Sequence, residues 1–387
     1  MAHRPFRLFM LAGEASGDQY GAALLRVLRE RPEEWEVAGW GGDAMAAEGM
    51  TLLTHCKTLG FMGFWEVLKH LPTIKANLKR AQSDIHKFDP DIVVFIDFPG
   101  FHMRLQRALH SQGHRALRVQ WVAPQVWAWH GNRKHALARD CHAVAPLLPF
   151  ERAILEEAHV NVWDVGHPLI DLLNTQTRNA TPRTFPLVML PGSRAQELKQ
   201  HLPTMVAAAK AGAQHKAWSL ADICVAGAPG KSLEDYKVAT DAGIEVHFGR
   251  THDLLKSARF AWVTSGTATL EAALLRTPHV IVYKTSRFTF ALAKRLAKVR
   301  FIGLPNLILN RSWVPELIQG EFTTEALLAH TQAQHLPWDR GFEDLRSALG
   351  GHGALKRLAE RLNAAARDHV EGDQMRGSSH QGASEIA

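Results

Sequence analysis

Apolar residues along this chain gather in short runs, and most of the runs are followed by segments of helical periodicity. The first run, Phe6 to Leu11, leads straight into Ala12-Gly13-Glu14-Ala15-Ser16-Gly17-Asp18, and helical spacing begins at about Tyr20. That order predicts a strand, a tight turn and a helix start. Further strand candidates are Trp35 to Gly39, Ile92 to Ile96, Arg118 to Val122, His142 to Pro146 and Val160 to Val165. Their alternation with helix-like segments predicts a parallel sheet with crossover helices. Residues 174–184 are polar and lack apolar periodicity, which makes them the best linker candidate. The pattern then restarts with Leu187 to Leu190, Ile223 to Val225, Ile244 to His247, Ala261 to Thr264 and His279 to Val282. The reading is an α/β chain with two Rossmann-like domains, 1–173 and 185–345. Residues 371–387 are polar and rich in glycine and serine, the composition of a disordered tail.

Composition narrows the picture. A chain of 387 residues is long enough for two cores, and 46% hydrophobic content fits a folded enzyme-sized protein. The formal charge of +7 suggests an anionic partner, but the basic residues are dispersed, which argues against nucleic acid. Cys56, Cys141 and Cys224 are far apart and no CxxC occurs, so neither a disulfide framework nor a zinc knuckle is expected. Arg4 and Arg7 precede a short apolar stretch, but acidic residues follow Ala12 and leave it too short for a signal peptide. A cytoplasmic location is expected. No run approaches the roughly 18 apolar residues of a membrane span, so any membrane contact would be peripheral. Histidine pairs such as His110/His114 and His130/His135 lack a HExxH frame or cysteine partners, and no metal site is expected.

Ligands of doubly wound sheets sit beyond the carboxyl ends of the strands, so the turns there carry the chemistry. Glu14 and Asp18 would repel a phosphate, which points the first turn toward hydroxyls or protons; Asp18 can equally cap a helix. The matching turn of the second half, Pro191-Gly192-Ser193-Arg194, has a glycine and a cation instead. Ser265-Gly266-Thr267-Ala268-Thr269-Leu270-Glu271 follows a strand and opens a helix, so its N–H groups could hold a phosphate. Arg194 could then neutralise the second charge of a nucleoside diphosphate, and Glu271 could accept from ribose hydroxyls. Ordinary N-capping by Ser265 or Thr267 is the plain alternative. Asp97 closes the most apolar strand and is followed by Phe98-Pro99-Gly100-Phe101. Partial desolvation there suits a general base acting on an alcohol, with turn capping as the alternative.

Between Gly60 and Leu71, Phe61, Phe64, Trp65, Leu68 and Leu71 recur at helical spacing, with Lys69, Lys75, Lys79 and Arg80 nearby. Such a helix either covers a core or docks into an anionic bilayer interface. The basic segment from Arg287 to Arg300 fits lipid phosphate or a solvated helix face. Gln125-Val126-Trp127-Ala128-Trp129-His130 brings two tryptophans to the same sheet edge, where they could stack on sugar faces or line an acyl channel.

Taken together, these motifs resemble the lipid-A-disaccharide synthase family. They stand here as Ala12 to Asp18, Gly60-Phe61-Met62-Gly63, Asp97 to Phe101, Ala123 to Trp129, Val165-Gly166-His167-Pro168, Leu190 to Arg194, Ser265 to Glu271, Leu304-Pro305-Asn306 and Pro315-Glu316-Leu317-Ile318-Gln319. The resemblance implies a GT-B fold, two Rossmann-like domains facing a cleft, with a C-terminal helix, 346–370 here, crossing back to the acceptor domain. It implies an inverting glycosyltransferase without cofactor or metal, which moves 2,3-diacylglucosamine from UDP to the 6-hydroxyl of 2,3-diacylglucosamine 1-phosphate. By motif, Asp97 becomes the base candidate, with Glu14 and Ser16 on the reaction side. Asp18, Arg194, Ser265, Gly266, Thr267, Glu271, Asn306, Gln319, Gln125 and Trp127 become substrate contacts. Phe61, Met62, Phe64, Trp65 and Leu68 become contacts to acyl chains or to the cytoplasmic leaflet of the inner membrane. A homodimer stays open. His130 stands where arginine is expected in many relatives. A UDP-sugar epimerase or hydrolase on the same fold is the alternative. A serine hydrolase is disfavoured because Gly13 to Gly17 lacks the GxSxG spacing. A periplasmic sugar-binding module would need the missing export signal.

Overall fold

A computed structural model describes residues 4–59, 71–127, 131–173, 183–286, 289–290, 295, 299–332 and 338–384. By packing, the chain divides into two units, Met1–Pro168 with Gly353–Ala387, and Leu169–His352. Sequence pattern alone puts the divide at 174–184 and starts the last helix at 346.

The first unit holds a parallel sheet of six strands among the described residues: β1 (Phe6–Ala12), β2 (Trp35–Gly41), β3 (Thr51–His55), β4 (Ile92–Ile96), β5 (Leu117–Trp121) and β6 (Ala143–Ala145). Their order is β3-β2-β1-β4-β5-β6, with Leu8 opposite Ile92 and Phe9 opposite Ala38. Leu8 to Ala12 and all of β4 are buried, because helices cover both faces of a parallel sheet and leave no side for polar residues. Phe9, Leu11, Trp40, Val93 and Phe95 share one core with Phe101, Leu105 and Leu109 of the helix Pro99–Ser111 and Ile85 of the helix Leu71–Phe88.

The helix Ala354–Ser384 belongs to this unit although it is last in the chain. Leu355, Leu358, Ala359, Leu362 and Ala366 form its buried stripe, and each fully buried leucine contributes about 2 kcal/mol. Polar contacts fix its register: Asn363 accepts from the Trp35 indole at 3.0 Å and donates to Glu33 at 2.8 Å, and Arg357 Nε donates to the Val165 carbonyl at 2.9 Å. Helical backbone continues through 371–384, where composition suggests that order ends.

The second unit repeats the plan with β7 (Phe185–Leu190), β8 (Cys224–Gly227), β9 (Glu245–Phe248), β10 (Ala258–Thr264), β11 (His279–Tyr283) and β12 (Glu316–Ile318), in the order β12-β11-β10-β7-β8-β9. Sequence pattern misses β3 and β12, which are short and only partly buried. It also overreads Val160 to Val165 as a strand. That segment makes a single bridge, Val162 to Val144 on the three-residue β6. Among the described residues no helix is long and apolar enough to cross a membrane, and no cluster of His, Cys, Asp and Glu could hold a metal.

Candidate functional site

Each sheet reverses its winding once. In the first, the chain leaves β1 for β2 and β3 on one side and returns to β4, β5 and β6 on the other. In the second, β7 and β10 flank the same kind of switch. Crevices at such switch points are where doubly wound sheets bind ligands. The turns Gly13 to Ser16 and Asp97-Phe98 therefore share one site-forming edge, and the turns Pro191 to Arg194 and Ser265 to Thr267 share the other.

At the first edge the two turns touch. A Cβ on Gly13 would lie 2.4 Å from the Phe98 ring, so only glycine lets the turn approach this closely. Asp97 and Phe98 both adopt left-handed backbone, with φ of 52° and 48°. Non-glycine residues there cost about 1–3 kcal/mol each and persist only where surroundings impose them. The constraints are visible: Asp97 N–H donates to Trp121 O at 2.9 Å, and Asp97 O accepts from His102 Nδ1 at 2.6 Å and Gln120 Nε2 at 3.3 Å. His102 is buried and held well below its usual pKa, at about 4, so it is a neutral Nδ1–H donor. Burial raises the Asp97 carboxyl above its ordinary value, offset only by the Phe98 N–H.

Glu14 is partly buried at the start of the helix Ala15–Arg29, and Ser16 is exposed on its first turn. Asp18 differs from the sugar-binding expectation. Its carboxylate accepts from Gly42 N and Met45 N on Oδ1, at 2.7 and 3.0 Å, and from Ala44 N on Oδ2 at 3.0 Å. Its carboxylate thus caps the helix Asp43–Ala47, not its own. Gln125 is exposed. Trp127 is partly buried, edge-on to Phe150, and its indole N–H donates to Glu151 Oε1 at 2.9 Å.

Glu151 is a residue that the motifs do not reveal. It is 3% exposed, and its Oε2 also accepts from Leu147 N and Leu148 N at 3.2 and 3.0 Å. Burial, with the nearby charge of Asp97 adding to it, pushes its pKa up to about 7. Two carboxyl groups with raised pKa thus lie within electrostatic reach of each other. Phe61, Met62, Phe64, Trp65, Leu68 and His130 lie outside the described residues.

The second edge turns through glycine. Gly192 has φ 115° and Gly266 has φ 150°. Gly266 and Thr267 are exposed at the start of the helix Thr267–Leu274, where the Thr269 N–H is taken by Gly266 O at 3.1 Å and those of Thr267 and Ala268 precede the helical ladder. Ser265 is tied into the fold: its N–H donates to Val282 O at 3.0 Å and its hydroxyl to Ile302 O at 2.8 Å. Glu271 Oε2 lies 3.5 Å from His252 Nε2. At the other turn, Glu197 occupies the helix start, its Oε2 accepting from Ser193 N at 2.9 Å and Arg194 N at 3.2 Å. The Arg194 side chain is 64% exposed and pairs with Glu197 Oε1 at 3.3 Å. Glu197, at the third helical position, supplies the half of a capping box in which a carboxylate reaches back to the N-cap N–H; Arg194 has no acceptor with which to supply the other half.

Asn306 does not meet the expectation of a donor contact. Its amide is fully engaged: Oδ1 accepts from Trp313 N and Val314 N, both at 2.9 Å, while Nδ2 donates to Val314 O at 2.7 Å and Glu316 Oε1 at 2.8 Å. An amide has two donors and two acceptor sites, so this one holds its loop together and has nothing left for a ligand. Gln319 is the opposite case. It has φ 55°, its Oε1 accepts from Thr285 N at 3.2 Å, and its buried Nε2 has no acceptor among the described residues. An unpaired buried donor costs about 1–3 kcal/mol, which a ligand acceptor would recover.

Against known proteins, the sequence model of the lipid-A-disaccharide synthetase family matches residues 8–339. The chain belongs to this family. Lipid-A-disaccharide synthase of Trichlorobacter lovleyi is 34% identical over 380 residues, covering 92% of this chain and 96% of the relative. The enzyme of that name from Chromohalobacter salexigens is 38% identical over 333 residues, 83% of this chain and 86% of the relative. Among solved structures, the UDP-GlcNAc 2-epimerase of Neisseria meningitidis bound to UDP-GlcNAc aligns with a TM-score of 0.60 at 10% identity, over 93% of this chain and 100% of that one. At that identity the likeness shows the fold alone. Members of the lipid-A-disaccharide synthase family are glycosyltransferases, and the two Rossmann-like units of this chain are the GT-B architecture.

Proposed function

We propose that this enzyme joins UDP-2,3-diacylglucosamine to 2,3-diacylglucosamine 1-phosphate, giving the β-1,6-linked disaccharide 1-phosphate and UDP with inversion at the anomeric carbon. The observation that carries the reading is Asp97, a desolvated carboxylate in a left-handed turn at the first switch point. Asp97 takes the proton of the acceptor 6-hydroxyl as its oxygen attacks, a role worth about 10²–10⁴-fold in rate. Glu14 and Ser16 orient the acceptor, and Trp127, braced by Glu151, contributes an apolar face to it. The Gly266-Thr267 helix start stabilises the charge that develops on the leaving diphosphate, with Gln319 Nε2 as a further donor. Family membership and the glycine turns of the second unit support the division of labour, acceptor to the first unit and nucleotide to the second. A charge of +7 and acylated substrates support peripheral attachment to the cytoplasmic leaflet.

The test is UDP release from the donor with and without the monosaccharide phosphate. Release that depends on the acceptor, with disaccharide formed in equal amount, is expected. UDP released at the same rate without acceptor would instead mean a hydrolase, and conversion of the donor to another UDP-sugar without net UDP release would mean an epimerase.

A further inference from the structure

We infer that His201 is a positioning residue for the nucleotide site, a single buried imidazole that sets the spacing of three strand ends at the second switch point. The inference rests on the assignment of UDP to the second unit. His201 lies in the helix Ala195–Gln214 and is fully buried, yet its helix neighbours Leu198, Leu202, Met205 and Val206 are apolar core residues. A polar ring at such a position is costly unless each nitrogen is bonded. Here each is. Nδ1 lies 3.0 Å from Pro191 O and 3.1 Å from Thr264 Oγ1, and Nε2 lies 2.9 Å from Lys284 N and 3.1 Å from Lys284 O. The Lys284 N–H can only donate and is the nearer partner of Nε2, and Pro191 O can only accept, so the tautomer that satisfies both carries its proton on Nδ1 and donates it to Pro191 O.

The three residues touched are those immediately ahead of the three turns. Pro191 precedes Gly192, Thr264 precedes Ser265 and Gly266, and Lys284 precedes Thr285, whose N–H is held by Gln319. Tyr283 and Phe322 pack against the ring, 5.9 Å between centroids in each case, and stop it turning. An apolar residue of similar volume would fill the space but would leave the Lys284 N–H and the Pro191 carbonyl to find other partners, and the turns would shift with them. Misplacement by about 1 Å costs up to about 100-fold where groups must be aligned.

The experiment compares full-length wild type with His201→Leu, His201→Asn, His201→Gln, Gly266→Ala and the core control Met205→Ala. UDP affinity is measured by calorimetry, the KM of each substrate in the coupled assay, and Tm by scanning. His201→Leu is expected to weaken UDP binding and raise the donor KM about tenfold or more, with the acceptor KM within about twofold. His201→Asn can still donate to Pro191 O, and His201→Gln can still accept from Lys284, so each should recover part of the loss. Met205→Ala should lower Tm without moving UDP affinity. A folded His201→Leu that binds UDP like wild type overturns the inference, as does a Met205→Ala that weakens UDP equally. If Gly266→Ala weakens UDP while the His201 variants do not, only the positioning role falls. If neither does, the assignment of UDP to this edge falls with it.

Discussion

In the first unit the backbone turns at the carboxyl edge through Asp97 and Phe98, which keep their side chains in left-handed conformation; in the second it turns through Gly192 and Gly266. On the roles proposed above, the difference follows from what each turn has to present. A turn that acts through a carboxylate cannot be glycine, so the first unit accepts the strain and restrains it with His102, Gln120 and the ring of Phe98 over Gly13. A turn that acts through backbone N–H groups, as proposed for Gly266, benefits from losing its side chain, whereas at Gly192 the Glu197 carboxylate already takes the Ser193 and Arg194 N–H groups. Both units place a buried histidine on the helix that follows, bonded to a strand-end carbonyl: His102 to Asp97 O, His201 to Pro191 O. The scaffold is shared and the exposed chemistry is opposite.

Replacing Asp97 by Asn is the harshest way to break that contrast. Asparagine tolerates left-handed backbone, so the turn should survive while the base is lost. We expect kcat to fall by about 10²–10⁴-fold, with UDP affinity within about twofold if the nucleotide binds, as proposed, through the other turn pair. Near-normal turnover in a folded variant would remove Asp97 from the chemistry. The same variant probes Glu151: without the neighbouring charge, its pKa should move down toward the ordinary range.

Glu151 sharpens the comparison through stability instead of rate. Its folded pKa, about 7, lies above the ordinary 4.5, so the folded state binds more protons than the unfolded one between those values. Stability must therefore decrease as pH rises through that window. The burden is absent below pH 4.5, grows up to pH 7 and is full above it, amounting to about 3 kcal/mol at its upper end. In Glu151→Gln the carboxyl no longer titrates. Denaturant unfolding of both proteins from pH 4.5 to 7.5 should show wild type losing about that much relative to the variant. Parallel curves would mean that Glu151 is ionised throughout and that Trp127 is braced by a charged acceptor.

The two residues that carry most of this contrast beyond the motifs, Glu151 and His201, are also those that local pattern hides. The sheets are legible because buried parallel strands read as continuous apolar runs, as Ile92 to Ile96 does, and both switch-point turns stand at the ends of such runs. Glu151 follows Pro149-Phe150 like any acidic residue at a helix start, and its partner Trp127 lies 24 positions away. His201 bonds Lys284 across 83 positions. A polar residue inside an apolar stripe says that partners exist without saying where. Asp18 and Asn306 show the converse. Both stand in motifs of the family, yet Asp18 takes three backbone N–H groups and Asn306 bonds the backbone of Trp313 and Val314 and the Glu316 carboxylate, which nothing in the local sequence announces.

Arg194 tests the contrast most gently. If the second edge works mainly through backbone amides, the cationic side chain of its Pro191 to Arg194 turn should matter little, although the guanidinium is the obvious partner for a diphosphate. It is exposed and already paired with Glu197, whose other oxygen caps Ser193 and Arg194. An exposed pair of this kind is worth about 1 kcal/mol or less and is screened by salt. Arg194→Ala should therefore weaken UDP binding by about fivefold or less, and the deficit should shrink as ionic strength rises. Glu197→Gln is the informative counterpart, because the amide oxygen can keep the cap while its NH₂ releases the guanidinium. UDP should then bind at least as tightly as to wild type. A loss of 100-fold in Arg194→Ala would show that the second turn, like the first, acts through a side chain, and the division between the two edges would no longer hold.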